Sequence, residues 1–303
     1  MQSPSVGNSG HGRDKAPCVS VVVPVFNDDA GVTNLLGALR LQTRRDFEVL
    51  VVDNGSLPPI KLGEYADLQV RLVQCPTPGS YAARNAGAAA ALGQVLAFTD
   101  ADCIPDPAWV EHGATRLLRV APGAVVGGEV RLQPPDPRTG VGLYQYLVGF
   151  QQERNITAKG FSVTANLFCT REQFERIGAF DTRLLSGGDL EWGRRAARMG
   201  IRTVFVPEAV VTTRPRISFA SAMRQARRVA AGRMRLETLA PELAGDGALV
   251  PHRNAGASLK WILFHPRLSV VERIRVLGAA TSLRVVATAE RLRLKFGGGP
   301  ERR

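Results

Sequence analysis

Short apolar runs alternate along the first hundred positions with segments of helical hydrophobic spacing. The runs are rich in β-branched residues and occupy residues 18–26, 47–52, 70–74 and 95–99. Continuous runs of this kind predict strands buried on both faces of a parallel sheet. Apolar residues recur every three to four positions over residues 32–39, and residues 80–92 are Ala-rich, so both segments predict helices. The opening pattern therefore predicts alternating strands and helices.

The pattern becomes less regular after residue 105. Asp106 is a candidate cap for a helix that has Pro107 in its first position and runs to about residue 120. A strand is predicted over residues 123–132, followed by a Pro- and Gly-rich loop over 133–142. Thr170 and Gln173 predict a capping box before a short helix. The last predicted elements of this part are a helix over residues 189–199 and a strand over 202–206.

Charge divides the chain near residue 214. Residues 1–213 carry 21 basic and 21 acidic side chains, whereas residues 214–303 carry 18 basic and 6 acidic ones. The whole net charge of +12 therefore lies in a C-terminal region that shows only helical patterns. We expect a flexible leader over residues 1–16, an α/β domain over 17–213 and a basic helical region over 214–303.

Composition limits the compartment and the partners. Charged residues or Pro interrupt every apolar run before it reaches the roughly 18–20 residues that span a bilayer. The start of the chain lacks the apolar stretch of a signal peptide, and the four cysteines are widely separated. These features predict a cytoplasmic protein. Nucleic acid is not an expected partner, because few aromatic residues accompany the C-terminal basic ones.

Acidic residues end two of the predicted strands. Asp53 follows the second strand, and Asp100 and Asp102 follow the fourth. In an open α/β sheet, ligands bind at the carboxyl edge of the strands. Two carboxylates one residue apart suit a hard divalent cation, whose shell is completed by water and phosphate oxygens. The alternative for each is a strand-end turn, which for Asp53 alone would be the better interpretation.

A series of short motifs follows in a fixed order. They are Val-Val-Val-Pro24-Val-Phe26-Asn27, Val-Val-Asp53-Asn-Gly-Ser, Gly79-Ser-Tyr-Ala-Ala-Arg84-Asn85-Ala-Gly87, Asp100-Ala-Asp102, Thr164-Ala-Asn166, Gly178-Ala-Phe180-Asp181 and Gly187-Gly188-Asp189-Leu-Glu191-Trp192-Gly-Arg-Arg195. In this order they resemble family 2 glycosyltransferases over roughly residues 18–216. The resemblance implies the GT-A nucleotide-diphospho-sugar transferase fold, a Rossmann-like and mostly parallel α/β sheet with helices on both faces, here with a C-terminal helical extension.

The resemblance also implies a role for each site residue. An inverting transfer needs one carboxylate to take the proton of the acceptor hydroxyl, and that role falls to Asp189, with Glu191 as the other member of the acidic pair. Mg²⁺ or Mn²⁺ would be held by Asp102, the firmer ligand, and Asp100. The nucleotide of the donor would be bound by Pro24, Phe26, Asn27, Asp53, Arg84 and Asp100. The acceptor side would include Asn166, Gly188 and Trp192.

Structural alternatives exist for the acidic pair and for Arg84. The segment from Ser186 to Asp189 fits a capping box, and Glu191 could pair with Arg195 one helical turn further on. Arg84 could be a solvated helix residue. Gly188 stands where the family often has Glu, so either Asp189 or Glu191 is a candidate for the base.

Two further departures from the family concern the C-terminal side. Members often carry a His near the end of the core, whereas residues 210–216 contain none, and Arg214 is the candidate to replace it partly by charge. The segment from Gln225 to Arg228 resembles part of the Gln-x-x-Arg-Trp motif of processive synthases, but Val229 replaces the Trp. Spanning helices are absent as well. The resemblance therefore implies a non-processive enzyme that makes a single addition.

The partners implied are a nucleotide-sugar donor and an acceptor hydroxyl. UDP-sugars are the commonest donors of the family, and a lipid-linked acceptor is one candidate. Peripheral association with the inner face of an anionic membrane is a second expectation from the basic C-terminal region. The alternative function is a catalytically inactive GT-A-like protein that binds membrane or nucleic acid. Retention of all the acidic motif residues favours the enzyme.

The predicted C-terminal helix carries a mixed stripe. Its members recur at helical spacing and are Ile274, Leu277, Thr281, Val285, Thr288, Leu292 and Phe296. Arg273, Arg284 and Arg291 fall on a neighbouring side. The stripe could pack on the catalytic domain, which its modest apolar content favours, or it could rest on anionic lipid.

Overall fold

Strands and helices alternate through the computed structural model, which describes residues 17–63, 65, 67–241, 261–266 and 268–299. The predicted leader over residues 1–16 lies outside the described residues. The strands are β1 Val19–Val25, β2 Phe47–Asp53, β3 Gln69–Gln74, β4 Val95–Thr99, β5 Cys103–Pro105, β6 Ala124–Leu132, β7 Asn166–Thr170 and β8 Arg202–Thr213. The helices are α1 Asp29–Leu39, α2 Ser80–Ala90, α3 Trp109–Val120, α4 Gly140–Val148, α5 Gln152–Lys159, α6 Arg171–Ile177, α7 Gly188–Arg198, α8 Phe219–Leu239 and α9 Val270–Lys295.

The strands form one mixed sheet in the order β3-β2-β1-β4-β7-β6-β8-β5. β1 pairs in parallel with β2 and β4, and β2 pairs in parallel with β3, as the sequence pattern predicts. β6 and β8 form a second parallel pair. β7 runs antiparallel to both β4 and β6 and joins the two parallel parts. The expected α/β sheet with helices on both faces is confirmed.

Alternate residues of strand β1 point into apolar layers on the two opposite faces of the sheet. Val21 and Val23 belong to the layer that contains α1 and α3, whereas Val22 belongs to the layer that contains α2, α6 and α7. Helix α2 lies close to the sheet because Gly87 has no side chain, since a Cβ there would come within 2.4 Å of Val22 Cγ1. This close approach places the residues of α2 beside the carboxyl ends of β1 and β4.

Helix α3 begins later than the sequence predicts. Its first residue is Trp109, and Asp106 lies in the preceding turn, where its carbonyl accepts the Trp109 amide at 2.9 Å. The side chain of Gln42 instead accepts the Val110 amide at 3.0 Å and donates to the Asp106 carbonyl at 2.8 Å. The predicted cap at Asp106 is therefore wrong, because a residue from a distant segment satisfies the start of the helix.

Strand β8 continues beyond the predicted end at residue 206. Its register with β6 shifts where Gly128 pairs with Val206 and Glu129 with Val210. Pro207 lies in the unpaired segment between these two partners, where its missing amide removes no ladder hydrogen bond. Strands β5 and β7, of three and five residues, were not predicted from the sequence.

The C-terminal helices pack on the catalytic domain through α4. Val276 of α9 forms a small apolar cluster with Leu143 of α4, and Ala279 forms another with Val141 of α4 and Ala222 of α8. Helix α4 was not predicted, since the hydrophobic period is weak in this part of the sequence. Among the described helices, none is long and apolar enough to cross a membrane.

The predicted stripe on α9 is not the packed face. The buried residues of this helix are Val276, Ala279, Ala280 and Glu290. The stripe residues Ile274, Val285 and Phe296 are instead 65%, 62% and 87% exposed. The expectation that the stripe packs on the catalytic domain is therefore wrong, because small Ala side chains on the adjoining face allow closer contact with α4 and α8.

Candidate active site

The carboxyl ends of β1, β2 and β4 meet at one edge of the sheet, and their loops are bound to each other. The Asn27 amide donates to Ser56 Oγ at 2.9 Å, and Asn27 Oδ1 accepts the Leu57 amide at 2.7 Å. Asp53 Oδ1 accepts the Ser56 amide at 2.9 Å, and Asp53 Oδ2 accepts the Ile60 amide at 3.1 Å. The two strand ends are thus held in one braced loop.

Asp53 is buried and its carboxylate is used by the backbone. Burial raises the pKa of Asp53, but the hydrogen bonds from Ser56 and Ile60 outweigh it and leave the pKa below its usual value. The turn interpretation of Asp53 is therefore present in the structure. Among the other predicted donor residues, Pro24 is half-buried at the end of β1, and Phe26 is 40% exposed at this edge.

Asn54 connects this loop to the start of α2. Its amide group donates to the carbonyls of Cys75 at 3.0 Å and Thr77 at 2.7 Å, and its Oδ1 accepts the Gly79 amide at 2.8 Å. Gly79 has a φ of +122°, a conformation that favours glycine, and precedes the first residue of α2. The hydrogen bonds of Asn54 therefore fix where α2 begins.

Arg84 of α2 is buried and pairs with Asp100 after β4. Its Nη2 contacts Asp100 Oδ1, and its guanidinium lies 5.7 Å from the centre of the Tyr81 ring. The Nε atom of Arg84 is buried and has no hydrogen-bond partner among the described residues. Arg84 is therefore not a solvated helix residue, and its charge is directed at the acidic edge of the sheet.

Tyr81 joins α2 to the start of α7. Its hydroxyl oxygen accepts the amides of Gly188 at 2.9 Å and Asp189 at 3.3 Å, and its proton points to Asp189 Oδ1 at 3.5 Å. Burial and the charge of Asp189 raise the pKa of Tyr81, so the hydroxyl keeps this proton. A Cβ on Gly188 would come within 2.7 Å of the Tyr81 ring. Glycine at this position is therefore required by the contact.

Asp189 lies half-buried at the start of α7. Its Oδ1 accepts the amide of Leu190 at 2.9 Å. The capping-box alternative is wrong, because the cap position is Gly187, which makes no side-chain capping bond, and Asp189 does not reach back to Ser186. Burial raises the pKa of Asp189, whereas the Leu190 amide and the charge of Arg84 oppose that rise.

Asp102 is accessible from the cleft yet surrounded by protein. Burial and the charge of Asp100 raise its pKa to about 6, and Arg216 acts in the opposite direction. Burial in turn lowers the pKa of Arg216, which Asp102 partly restores. The charge of Arg216 therefore acts on Asp102, while Arg84 pairs with Asp100, and sequence reasoning did not single out Arg216.

Three predicted site residues lie away from the cleft surface. Glu191 is buried and pairs with Arg195, as the helical-spacing alternative expected, and Arg195 also donates to the Ile177 carbonyl at 2.6 Å. Trp192 is 1% exposed and donates to the Gly178 carbonyl at 2.8 Å. Asn166 is fully buried and accepts the Trp109 Nε1 proton at 2.9 Å. Trp192 and Asn166 are therefore buried in the core and do not line the cleft.

A cleft of about 970 Å³ runs from the acidic edge towards α8 and α9. Asp100, Asp102 and Asp189 line it together. The sequence did not single out Tyr81 or Arg216 as site residues. Tyr81 lies inside a quoted motif, so its position three residues before Arg84, on the same helix face, is the signal that could have identified it.

The residues at the acidic edge fit a divalent cation that is held jointly with a phosphate ligand. Asp100 and Asp102 are two oxygen donors, and their mutual repulsion raises the pKa of Asp102 in a way that a cation would reverse. Among the described residues, no group of three His, Cys, Asp or Glu side chains could hold a metal alone. Mg²⁺ and Mn²⁺ take few protein carboxylates when phosphate oxygens complete the shell.

Two family models match the chain. The model described as glycosyl transferase family 2 matches residues 20–169, and the one described as glycosyl transferase family group 2 matches residues 143–287. The glycosyltransferase AglE of Haloferax volcanii is 33% identical over 228 residues, which are 73% of this chain and 74% of that relative. The pre-mycofactocin glycosyltransferase of Mycobacterium tuberculosis is 29% identical over 204 residues, 64% of this chain but 42% of that relative.

Solved structures share the fold. A mannosyltransferase from Pyrobaculum calidifontis in complex with GDP-Man and Mn²⁺ aligns with a TM-score of 0.55 at 20% identity, over 92% of this chain and 88% of that chain. GalNAc-T7 with UDP, GalNAc and Mn²⁺ aligns with a TM-score of 0.53 at 17% identity, over 77% of this chain and 53% of that chain. The chain therefore belongs to family 2 of the glycosyltransferases and is a transferase enzyme with the GT-A fold.

Proposed function

We propose that this glycosyltransferase moves a sugar from a nucleoside diphosphate, with UDP as the first candidate, to an acceptor hydroxyl with inversion at the anomeric carbon. One observation carries the proposal: Asp100, Asp102 and Asp189 line the same cleft, and Arg84 and Tyr81 connect them. The two structural neighbours are complexes with GDP-Man and Mn²⁺ and with UDP, GalNAc and Mn²⁺, which supports a nucleotide-sugar donor and a divalent cation.

The donor side of the proposal rests on charge. Asp102 and Asp100 would hold Mg²⁺ or Mn²⁺, which supplies positive charge to the diphosphate as it leaves. Arg84 is held against Asp100 and would orient that carboxylate. The braced loop of Asn27 and Asp53 would form the floor for the nucleoside.

The acceptor side rests on Asp189. As the acceptor oxygen forms its bond to the anomeric carbon, the bond to the diphosphate oxygen breaks, and Asp189 takes the hydroxyl proton. Burial raises the pKa of Asp189 and thereby strengthens it as a base, while Tyr81 holds its carboxylate in place. Glu191 is the weaker candidate for the base, because Arg195 occupies both of its oxygens.

Replacement of the base tests the acceptor side. We expect Asp189→Asn to lower the rate of transfer by about 10²–10⁴-fold and to change donor affinity less than about twofold, because the base acts only on the acceptor. The Asn side chain can still accept the Leu190 amide, so the helix start is preserved. Release of nucleoside diphosphate and its equilibrium binding are the two measurements.

Glu191→Gln is the matched control for this prediction. It breaks the buried pair with Arg195, so its main effect should be a lower free energy of unfolding, with more activity retained than in Asp189→Asn. If Glu191→Gln lost more activity than Asp189→Asn at equal folded fraction, Glu191 and not Asp189 would be the base.

We expect the ionised carboxylate of Asp102 to be required for transfer but to lower the free energy of unfolding. Its pKa in the folded state, about 6, lies above the usual 3.8, so the folded protein binds the proton more tightly and loses stability as pH rises from about 4 to about 6. We expect Asp102→Asn to abolish transfer yet to raise the free energy of unfolding at pH 7 by about 1 kcal/mol, after discounting for solvent screening.

Urea unfolding in EDTA at pH 4.5 and pH 7 measures this effect. Asp181→Asn is the control of opposite sign, because its pairing with Arg183 lowers the pKa of Asp181 and charge there stabilises the fold. An Asp102→Asn variant that is less stable than the parent at pH 7, or that transfers sugar with the same response to divalent ions, would refute the assignment.

The proposal extends to an anionic membrane surface. Four residues of the α9 stripe are exposed, namely Ile274 (65%), Val285 (62%), Leu292 (52%) and Phe296 (87%). Arg284 is exposed next to the stripe, and the region after residue 213 carries the whole excess of positive charge. An amphipathic helix of this kind binds through apolar contact plus about 1 kcal/mol for each basic residue near anionic lipid.

Co-sedimentation with vesicles tests the membrane proposal. We expect binding to vesicles that contain about one-third phosphatidylglycerol, weaker binding in high salt, and little binding to pure phosphatidylcholine. The double variant Val285→Ser with Leu292→Ser should bind several-fold less, whereas Leu41→Ser with Leu92→Ser, which removes two exposed leucines elsewhere, should not. Equal partitioning to both lipids, or equal binding by both double variants, would contradict it.

A further inference from the structure

The three carboxylates line the cleft together with basic side chains, among them Arg214, Arg216 and Arg228. The lining also includes Lys159 of α5, Arg233 of α8 and Arg291 of α9. These three residues come from three different helices and are each half-buried. We call them the basic triad. None of the three is paired with a carboxylate within 4.0 Å in the part of the chain that the structure describes.

The triad concentrates positive charge that the protein itself does not neutralise. Burial lowers the pKa of Lys159, and the charges of Arg154, Arg233 and Arg194 lower it further. Burial and Arg291 likewise lower the pKa of Arg233, which Glu237 only partly restores. Among the described residues, the Nζ atom of Lys159 contacts Asn155 Oδ1 at 3.0 Å and lies 5.9 Å from the centre of the Phe161 ring. Such mutual repulsion is relieved when an anion binds.

Arg233 of the triad lies near the start of α7, which carries Asp189. Helix α8 touches the loop before α7, where a Cβ on Gly232 would come within 2.4 Å of the Ser186 carbonyl oxygen. Arg233 is the next residue on α8, and Ser186 comes three residues before Asp189. The carboxylates that would hold the donor diphosphate lie instead at the ends of the sheet strands. The basic triad is therefore not part of the donor site proposed above.

The chemistry of the triad selects phosphate. Two guanidinium groups match the paired oxygens of a phosphate, and three cations suit a dianion better than a single carboxylate. Apolar side chains line the cleft around the triad, among them Phe161, Leu236 and Ala287. A phosphate attached to an apolar chain would satisfy both features.

We propose that Lys159, Arg233 and Arg291 form an anion subsite that holds a phosphate or diphosphate group of the acceptor. This inference rests on the proposed function, because it assigns the ligand of the acceptor side of the same cleft. The phosphate could belong to a lipid or to a free sugar phosphate, and the apolar walls favour the lipid.

Binding of simple phosphates in EDTA tests the subsite without any transfer reaction. The probes are inorganic pyrophosphate, the short isoprenoid geranyl phosphate and glucose 1-phosphate, measured by calorimetry. We expect the parent protein to bind pyrophosphate, and Arg233→Gln and Arg291→Gln each to bind it about tenfold more weakly. Arg235→Gln, an exposed position on the same helix that does not line the cleft, should bind as the parent does.

Phosphate binding at the subsite and catalysis by Asp189 can be tested independently. Asp189→Asn should bind pyrophosphate as tightly as the parent, so a failed role for Asp189 leaves the subsite test intact. Tighter binding of geranyl phosphate than of glucose 1-phosphate supports a lipid acceptor, and the reverse order supports a free sugar phosphate at the same subsite. Equal pyrophosphate binding by the parent, Arg233→Gln and Arg291→Gln would overturn the proposal.

Discussion

Three carboxylates share one end of a cleft, and the burial and mutual repulsion of their charges are the constraint on which the rest of the site depends. Burial and the charge of Asp100 raise the pKa of Asp102 to about 6, and burial raises the pKa of Asp189 as well. Arg84 and Arg216 are the basic residues that act on this group. The fold accepts this unfavourable charge because a cation with a diphosphate, supplied by the substrate, would compensate it.

The fold holds these acids together through backbone contacts and one tyrosine. Parallel strands bring the loops of Asp53 and Asp100 to the same sheet edge, and Asn54 fixes the start of α2. Gly87 lets α2 approach the sheet, and the Tyr81 hydroxyl then binds the first amides of α7. The carboxylates that we propose for the donor and the acceptor are thus connected through the contact of Tyr81 with the start of α7.

The sequence pattern predicted the parallel strands and their acidic ends, because buried β-branched runs and strand-end carboxylates are local signals. It could not predict Arg216 or the cap supplied by Gln42, since both depend on contacts between distant segments. Trp192 and Asn166 carry motif positions yet lie in the core, which only packing reveals. The prediction that the α9 stripe packs on the domain was wrong for a related reason, because small Ala residues on the adjoining face pack there instead.

We propose that a divalent cation and a diphosphate bind together at the acidic end of the cleft. Calorimetric titration of UDP into the protein, with Mn²⁺ and then with EDTA, tests it most directly. We expect Mn²⁺ to tighten UDP binding by about tenfold or more, since each ligand compensates the charge of the other. Equal affinity for UDP in Mn²⁺ and in EDTA would contradict it.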